Sequence, residues 1–94
     1  MERSRISERL EAIAVIVKVK LFATLQRYAP GGQAAGEPFA VEVPEGSCIA
    51  DVVALLGIAE REVKVAFVEG RARAERFRLF DGAEVGIFPP VGGG

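Results

Sequence analysis

The sequence contains no histidine and no tryptophan, and has one cysteine, Cys48, and one tyrosine, Tyr28. Without histidine the commonest metal ligand and the commonest general base are both missing, which argues against a metalloenzyme or a triad hydrolase. One cysteine excludes an intrachain disulfide. No apolar run approaches the roughly 18 residues that a membrane-spanning helix needs. Charge of one sign is lacking too: 12 basic and 13 acidic residues, interspersed, leave a formal net charge of −1, so there is no long-range field to gather nucleic acid. The charged start, Met1-Glu2-Arg3-Ser4-Arg5, leads into no apolar stretch with a small-residue cleavage site, as a secretory signal would. A cytoplasmic protein with neither nucleic acid nor membrane as partner is expected.

What is present suits one small domain. Half of the 94 residues are apolar and 27% are charged, near the globular average, and a chain of this length buries about 60–65% of its unfolded surface in a single core. Residues 1–14 carry Ile6, Leu10 and Ile13 at i, i+4 and i+7 behind Ser4 and Ser7. This is either a short amphipathic helix or a frayed extension, and the domain is expected to occupy 15–94. From Val15 to Phe22, Val15, Val17, Val19 and Leu21 alternate with Lys18 and Lys20, the period of a strand. Thr24 to Tyr28 fits a turn or two of helix before the loop through Pro30-Gly31-Gly32 to Gly36. Phe39, Val41 and Val43 form a second strand, which Pro44-Glu45-Gly46 turns out of the sheet.

Ser47 then offers an N-cap, Asp51 an early negative charge, and Ile49, Val52, Val53 and Leu56 recur at helical spacing before Gly57 supplies a left-handed C-terminal residue. Val63–Val68 and Glu84–Phe88, the latter after an Asp81-Gly82 turn, read as buried strands. Arg71 to Arg78 between them fits neither period. Strand, strand, helix, strand, irregular segment, strand describes an α+β domain with one main helix packed across a small mixed sheet of four to five strands.

This order, with Leu21-Phe22-Ala23, Val43-Pro44-Glu45-Gly46-Ser47, Asp81-Gly82-Ala83-Glu84-Val85 and Phe88-Pro89-Pro90-Val91-Gly92-Gly93-Gly94, resembles the ThiS/MoaD-like sulfur carriers of the ubiquitin-like β-grasp fold. The likeness covers 15–94. The Phe-Pro-Pro-Val lead into the glycines is most similar to the small subunit of molybdopterin synthase. Glu69 stands where a turn asparagine is common in the family, and Ala83 where an aspartate is.

The resemblance implies that the reactive group is the C-terminal carboxylate of Gly94. A ubiquitin-activating-like (E1-like) enzyme would adenylate it with ATP and magnesium, and a sulfur donor protein would then replace AMP to leave a thiocarboxylate. The sulfur would be spent in molybdenum cofactor biosynthesis with the large subunit of molybdopterin synthase. The carrier itself would bind no cofactor or metal and be no enzyme, its catalytic groups lying on its partners. Thiamine, tungsten cofactor or amino-acid biosynthesis are alternative destinations. Conjugation to lysines as a protein modifier is another outcome, and an inert glycine tail on a binding module a third.

Elementary chemistry suits that role. Pro89 and Pro90 cannot continue a ladder and favour extended chain. Behind Val91, Gly92, Gly93 and Gly94 have no Cβ and can enter a narrow channel, and the five residues from Pro90 reach about 16 Å.

Alternation turns Phe22 and Phe88 to the outer face, where they could form an exposed docking patch, as the family uses the matching positions, or fold under loops. Cys48 falls in the first turn of the helix, either as a reactive thiol or as a bystander. Arg71, Arg73, Arg76 and Arg78 could meet an acidic partner surface or a precursor phosphate, or form a solvated edge.

Overall fold

The computed structural model describes residues 13–91. Five strands form one sheet: β1 (Ala14–Leu21), β2 (Phe39–Pro44), β3 (Val65–Val68), β4 (Arg71–Arg73) and β5 (Glu84–Phe88). They lie in the order β2-β1-β5-β3-β4. β1 and β5 run parallel at the centre and the other pairs are antiparallel. The helix α1 (Ile49–Leu55) crosses one face, and 3-10 turns occupy Ala23–Tyr28 and Glu60–Glu62.

The alternation in β1 resolves as expected: Val15, Val17, Val19 and Leu21 are buried under α1, opposite Val41 and Val43 of β2 and beside Val85 and Ile87 of β5. Ala66 and Val68 of β3 complete the inner face, and Ile49, Val52 and Val53 of α1, with Leu25, Ile58 and Leu79, close it. Each fully buried aliphatic side chain contributes about 1.5–3 kcal/mol relative to exposure. That packing holds α1, whose seven residues are too few to be stable alone.

The helix ends are fixed locally. At the C-terminus the amides of Gly57 and Ile58 donate to the carbonyls of Ala54 (3.0 Å) and Val53 (3.1 Å), a Schellman pair that the positive φ of Gly57, 79°, permits. At the N-terminus the cap is Cys48, whereas Ser47 was expected there. The Ser47 hydroxyl is committed to the preceding turn, donating to the Pro44 carbonyl at 2.6 Å. Asp51 instead accepts from the Cys48 amide at 2.8 Å, and this bond holds its carboxyl below the usual range.

Several boundaries move: β1 ends at Leu21 and not Phe22, and Pro44 still belongs to β2. β3 starts at Val65 and not Val63, because the chain is still leaving the turn at Glu60–Glu62. The ambiguous stretch from Arg71 splits: Arg71–Arg73 joins the sheet as the fifth strand through a Glu69-Gly70 hairpin. Residues 74–78 then cross to the first turn of α1, where the Glu75 and Phe77 carbonyls accept from Ala50 (2.9 Å) and Ile49 (3.2 Å). At the start, Ala14 is already in register with Pro44. The rest of the expected N-terminal segment, residues 1–12, lies outside the described residues. Among the described residues no helix is long and apolar enough to cross a membrane.

Candidate functional site: the aromatic face and the root of the tail

β5 is bonded on both sides, to β1 and β3. Val85 and Ile87 point into the core, so Gly86 and Phe88 face outward. Phe22 follows β1 and is held beside β5 by its amide, which donates to the Ile87 carbonyl at 3.2 Å. The two rings stack with centroids 4.2 Å apart and planes 3° from parallel. Phe67, outward on β3, meets Phe88 edge-on at 5.6 Å and 78°. These three rings, with Gly86 between them, line a shallow groove of about 300 Å³ on the outer face, bordered by Lys20 and Glu84. Lys20 and Glu84 form a surface ion pair at 3.8 Å, the kind that contributes about 0–1 kcal/mol.

The placement of the two phenylalanines lies between the two expected. Alternation does put Phe22 and Phe88 on the outer face, yet each is half-buried. They cover one another, and the loop after β1 leans on Phe22. The Gly36 amide donates to the Leu21 carbonyl at 2.8 Å. Gly36 has φ 79°, and a Cβ there would come within 3.2 Å of the Phe22 ring. The positive φ favours glycine there, and any side chain would in addition press on the Phe22 ring.

The Phe88 carbonyl accepts from the Lys64 amide at 2.8 Å, which is the last ladder bond before the prolines. Pro89 is half-buried, Pro90 exposed, and Val91 is 92% exposed, so the chain leaves the sheet directly from the aromatic stack. Gly92, Gly93 and Gly94 lie outside the described residues.

At this end of the sheet a polar latch ties the turn after β1 to the turn before β3. The Tyr28 hydroxyl donates to Glu62 Oε1 at 2.6 Å, the Ala59 amide donates to the same oxygen at 3.2 Å, and Arg27 pairs with Oε2. The tyrosine bond, foremost, with the Ala59 amide and Arg27, holds the Glu62 carboxyl below its usual range.

The other candidates are not brought to this site. Cys48 is a half-buried cap at the opposite end of α1 from Leu55. Arg71, Arg73, Arg76 and Arg78 are exposed on β4 and the segment after it, separated from β5 by β3. Sequence reasoning missed Phe67 and Gly86. Phe67 is concealed in the uniformly apolar Val65-Ala66-Phe67-Val68, where only the phase set by buried Ala66 and Val68 shows that it points outward.

The model of the ThiS family matches residues 19–94. The chain belongs to the ThiS family. No curated protein matches it. Among solved structures, this ThiS-family chain is similar to a Pyrococcus furiosus protein described as molybdopterin converting factor, subunit 1. That likeness has 31% identity and a TM-score of 0.61, and covers 82% of this chain and 99% of that one. It is also similar to SAMP1 of Haloferax volcanii, at 26% identity and TM-score 0.62 over 84% and 99% of the two chains. The ubiquitin of Caldiarchaeum subterraneum, at 16% identity and TM-score 0.55 over 86% and 99%, shares the fold. The five-stranded mixed sheet with one main helix is thus a ubiquitin-like β-grasp, as the sequence motifs led us to expect.

Proposed function

We propose that the chain is a sulfur carrier whose Gly94 carboxylate is adenylated and then converted to a thiocarboxylate that donates sulfur in molybdopterin biosynthesis. The observation that carries this reading is the double role of Phe88. It is a member of the outer-face aromatic stack and also the last strand residue before Pro89-Pro90-Val91. A partner that docks on Phe22 and Phe88 thereby takes hold of the root of the tail, which fixes where the next five or six residues can reach. Large aromatic side chains in a shallow groove are the usual anchors of such docking.

A carboxylate is a poor acyl donor, so an E1-like enzyme would supply ATP and magnesium. A Gly94 oxygen attacks the α-phosphorus, pyrophosphate leaves, and an acyl-adenylate forms. Sulfide, whether free or released by a donor protein, then attacks the carbonyl carbon and AMP departs. The resulting thiocarboxylate sulfur is the nucleophile toward a precursor held by the synthase large subunit; water then cleaves the thioester so formed, leaving the sulfur on the precursor and returning the Gly94 carboxylate, and a product with two sulfurs requires two deliveries. The carrier contributes position, through Phe22, Phe88 and the two prolines. Its glycines, Gly92 and Gly93, allow close approach.

The likeness to the Pyrococcus furiosus converting factor subunit supports the molybdopterin destination over thiamine or other sulfur pathways. The likeness to SAMP1, a small archaeal modifier protein by name, supports a second reading, in which activated Gly94 forms isopeptide bonds with lysines. Incubation of the purified chain with its activating enzyme, ATP, magnesium and sulfide, followed by intact-mass measurement, tests the first. The expected product is heavier by the difference between one sulfur and one oxygen, and deletion of Gly93 and Gly94 abolishes the gain without altering the thermal melt. An unchanged mass with full-length chain and active enzyme defeats the proposal. A ladder of covalent adducts on immunoblots of a lysate supports the modifier reading.

A further inference from the structure

A second concave surface lies on the helix side of the sheet, away from Phe22 and Phe88. Between α1 and the β3–β4 edge a groove of about 480 Å³ opens, its walls formed chiefly by Ile49, Val53, Ile58, Val63 and Ala66. Its size falls within the range of ordinary binding clefts, roughly 300–1,000 Å³. Glu60 and Lys64 stand at one side of the mouth, and Arg73 and Glu75 at the other.

The Arg73 side of the groove belongs to a segment of unusual charge. Between Arg71 and Arg78 there are four arginines and one glutamate, whereas the remaining described residues carry nine acids and five bases. The near-neutral total conceals this separation. All four arginines are exposed, and among the described residues none of them forms an ion pair. Arg71 and Arg73 lie opposite Val68 and Ala66, hence on the helix-side face of β4, about 7 Å apart. From there the segment crosses to the first turn of α1; Arg73, Ala74 and Glu75 line the groove, and Arg71 stands beside Arg73 on the same face of β4. The Arg73 guanidinium is steadied 4.6 Å over the Phe77 ring. β4 has a strand neighbour on one side only.

We propose that the groove and its arginine bank are a second docking surface, for an acidic segment of a partner polypeptide that seats an apolar side chain between α1 and β3 and sets carboxylates against Arg71 and Arg73. Charge complementarity selects the acid, and the apolar walls select a polypeptide over a nucleic acid, whose phosphates would match the arginines alone. Because the surface is on the opposite face from the aromatic stack, such a partner can be held while Phe22, Phe88 and the tail are engaged elsewhere. The inference goes beyond sulfur carriage and does not depend on it.

The test uses the full-length protein labelled with ¹⁵N and titrated with an acetylated peptide of alternating glutamate and valine. The same peptide with lysine in place of glutamate and a single-stranded oligonucleotide serve as comparisons. The acidic peptide is expected to give saturable shifts at the Val53, Ala66 and Ala74 amides, with affinity that falls as salt is raised. The double change Arg71→Glu and Arg73→Glu is expected to weaken binding by about tenfold. Arg71→Glu with Arg76→Glu, which leaves the Arg73–Phe77 contact in place, is expected to weaken it while amides elsewhere stay unmoved. The proposal is overturned by an absence of saturable shifts, by shifts confined to the Phe22 and Phe88 face, by equal binding of the lysine peptide, or by tighter binding of the oligonucleotide.

Discussion

The two faces of the sheet are built from different materials. Under α1 the contacts are almost all aliphatic, with Val17, Val19, Val85 and Ile87 fully buried. On the outer face, three of the six phenylalanines gather around Gly86. Branched aliphatic side chains interdigitate closely and specify one arrangement. Flat rings that remain half-exposed offer area and rigidity to a second molecule. The inner face therefore maintains the fold and the outer face leaves an aromatic surface half-exposed, although the same strands supply both.

The largest expected effect breaks the inner face. Ile87→Ala should lower stability by about 2–5 kcal/mol in urea unfolding, through lost burial and the cavity left in a central strand. One residue further on, Phe88→Ala should cost about 1–3 kcal/mol, from one stacked and one edge-on aromatic contact, and yet should slow thiocarboxylate formation at limiting activating enzyme more than Ile87→Ala does in the folded fraction. Equal losses of stability for the two neighbours would erase the distinction between the faces. The smallest effect concerns the latch beside the tail. The folded-state pKa of Glu62 lies below its ordinary value of 4.5, so its contribution is fully present above that value and is lost as pH falls through the lowered one. Glu62→Gln should therefore make the melting temperature decline less steeply between about pH 5 and pH 3. Calorimetric scans of unaltered slope would assign the latch no such part.

Much of this was legible in the residues. The Val15–Leu21 alternation gave β1 and its buried face, Gly57 gave the end of α1, and Phe88-Pro89-Pro90 gave the point at which the last strand stops. Each is a local property, because a period or a fixed φ needs no knowledge of distant neighbours. The errors came where a distant partner decides. Ser47 and Cys48 are both adjacent to the helix start, and only the commitment of the Ser47 hydroxyl to Pro44 leaves Cys48 as the cap. Arg71–Arg73 has no strand signal of its own and becomes β4 because Glu69 and Gly70, both at positive φ, fold it back on β3. Phe67 joins the aromatic face only through the register that sets β3 against β5. The chemistry proposed for Gly94 rests on the sequence and the family, since the last three residues lie outside the described ones.

The central place of β5 also has a mechanical consequence. An enzyme that drew the tail into a channel, as proposed, would pull on a strand bonded to β1 on one side and β3 on the other. Such a load shears both ladders at once and spreads over many bonds, whereas a strand at the sheet edge would be peeled away one bond at a time. In the proposed role, the fold would thus resist a pull on its end better than one whose tail left from an edge strand.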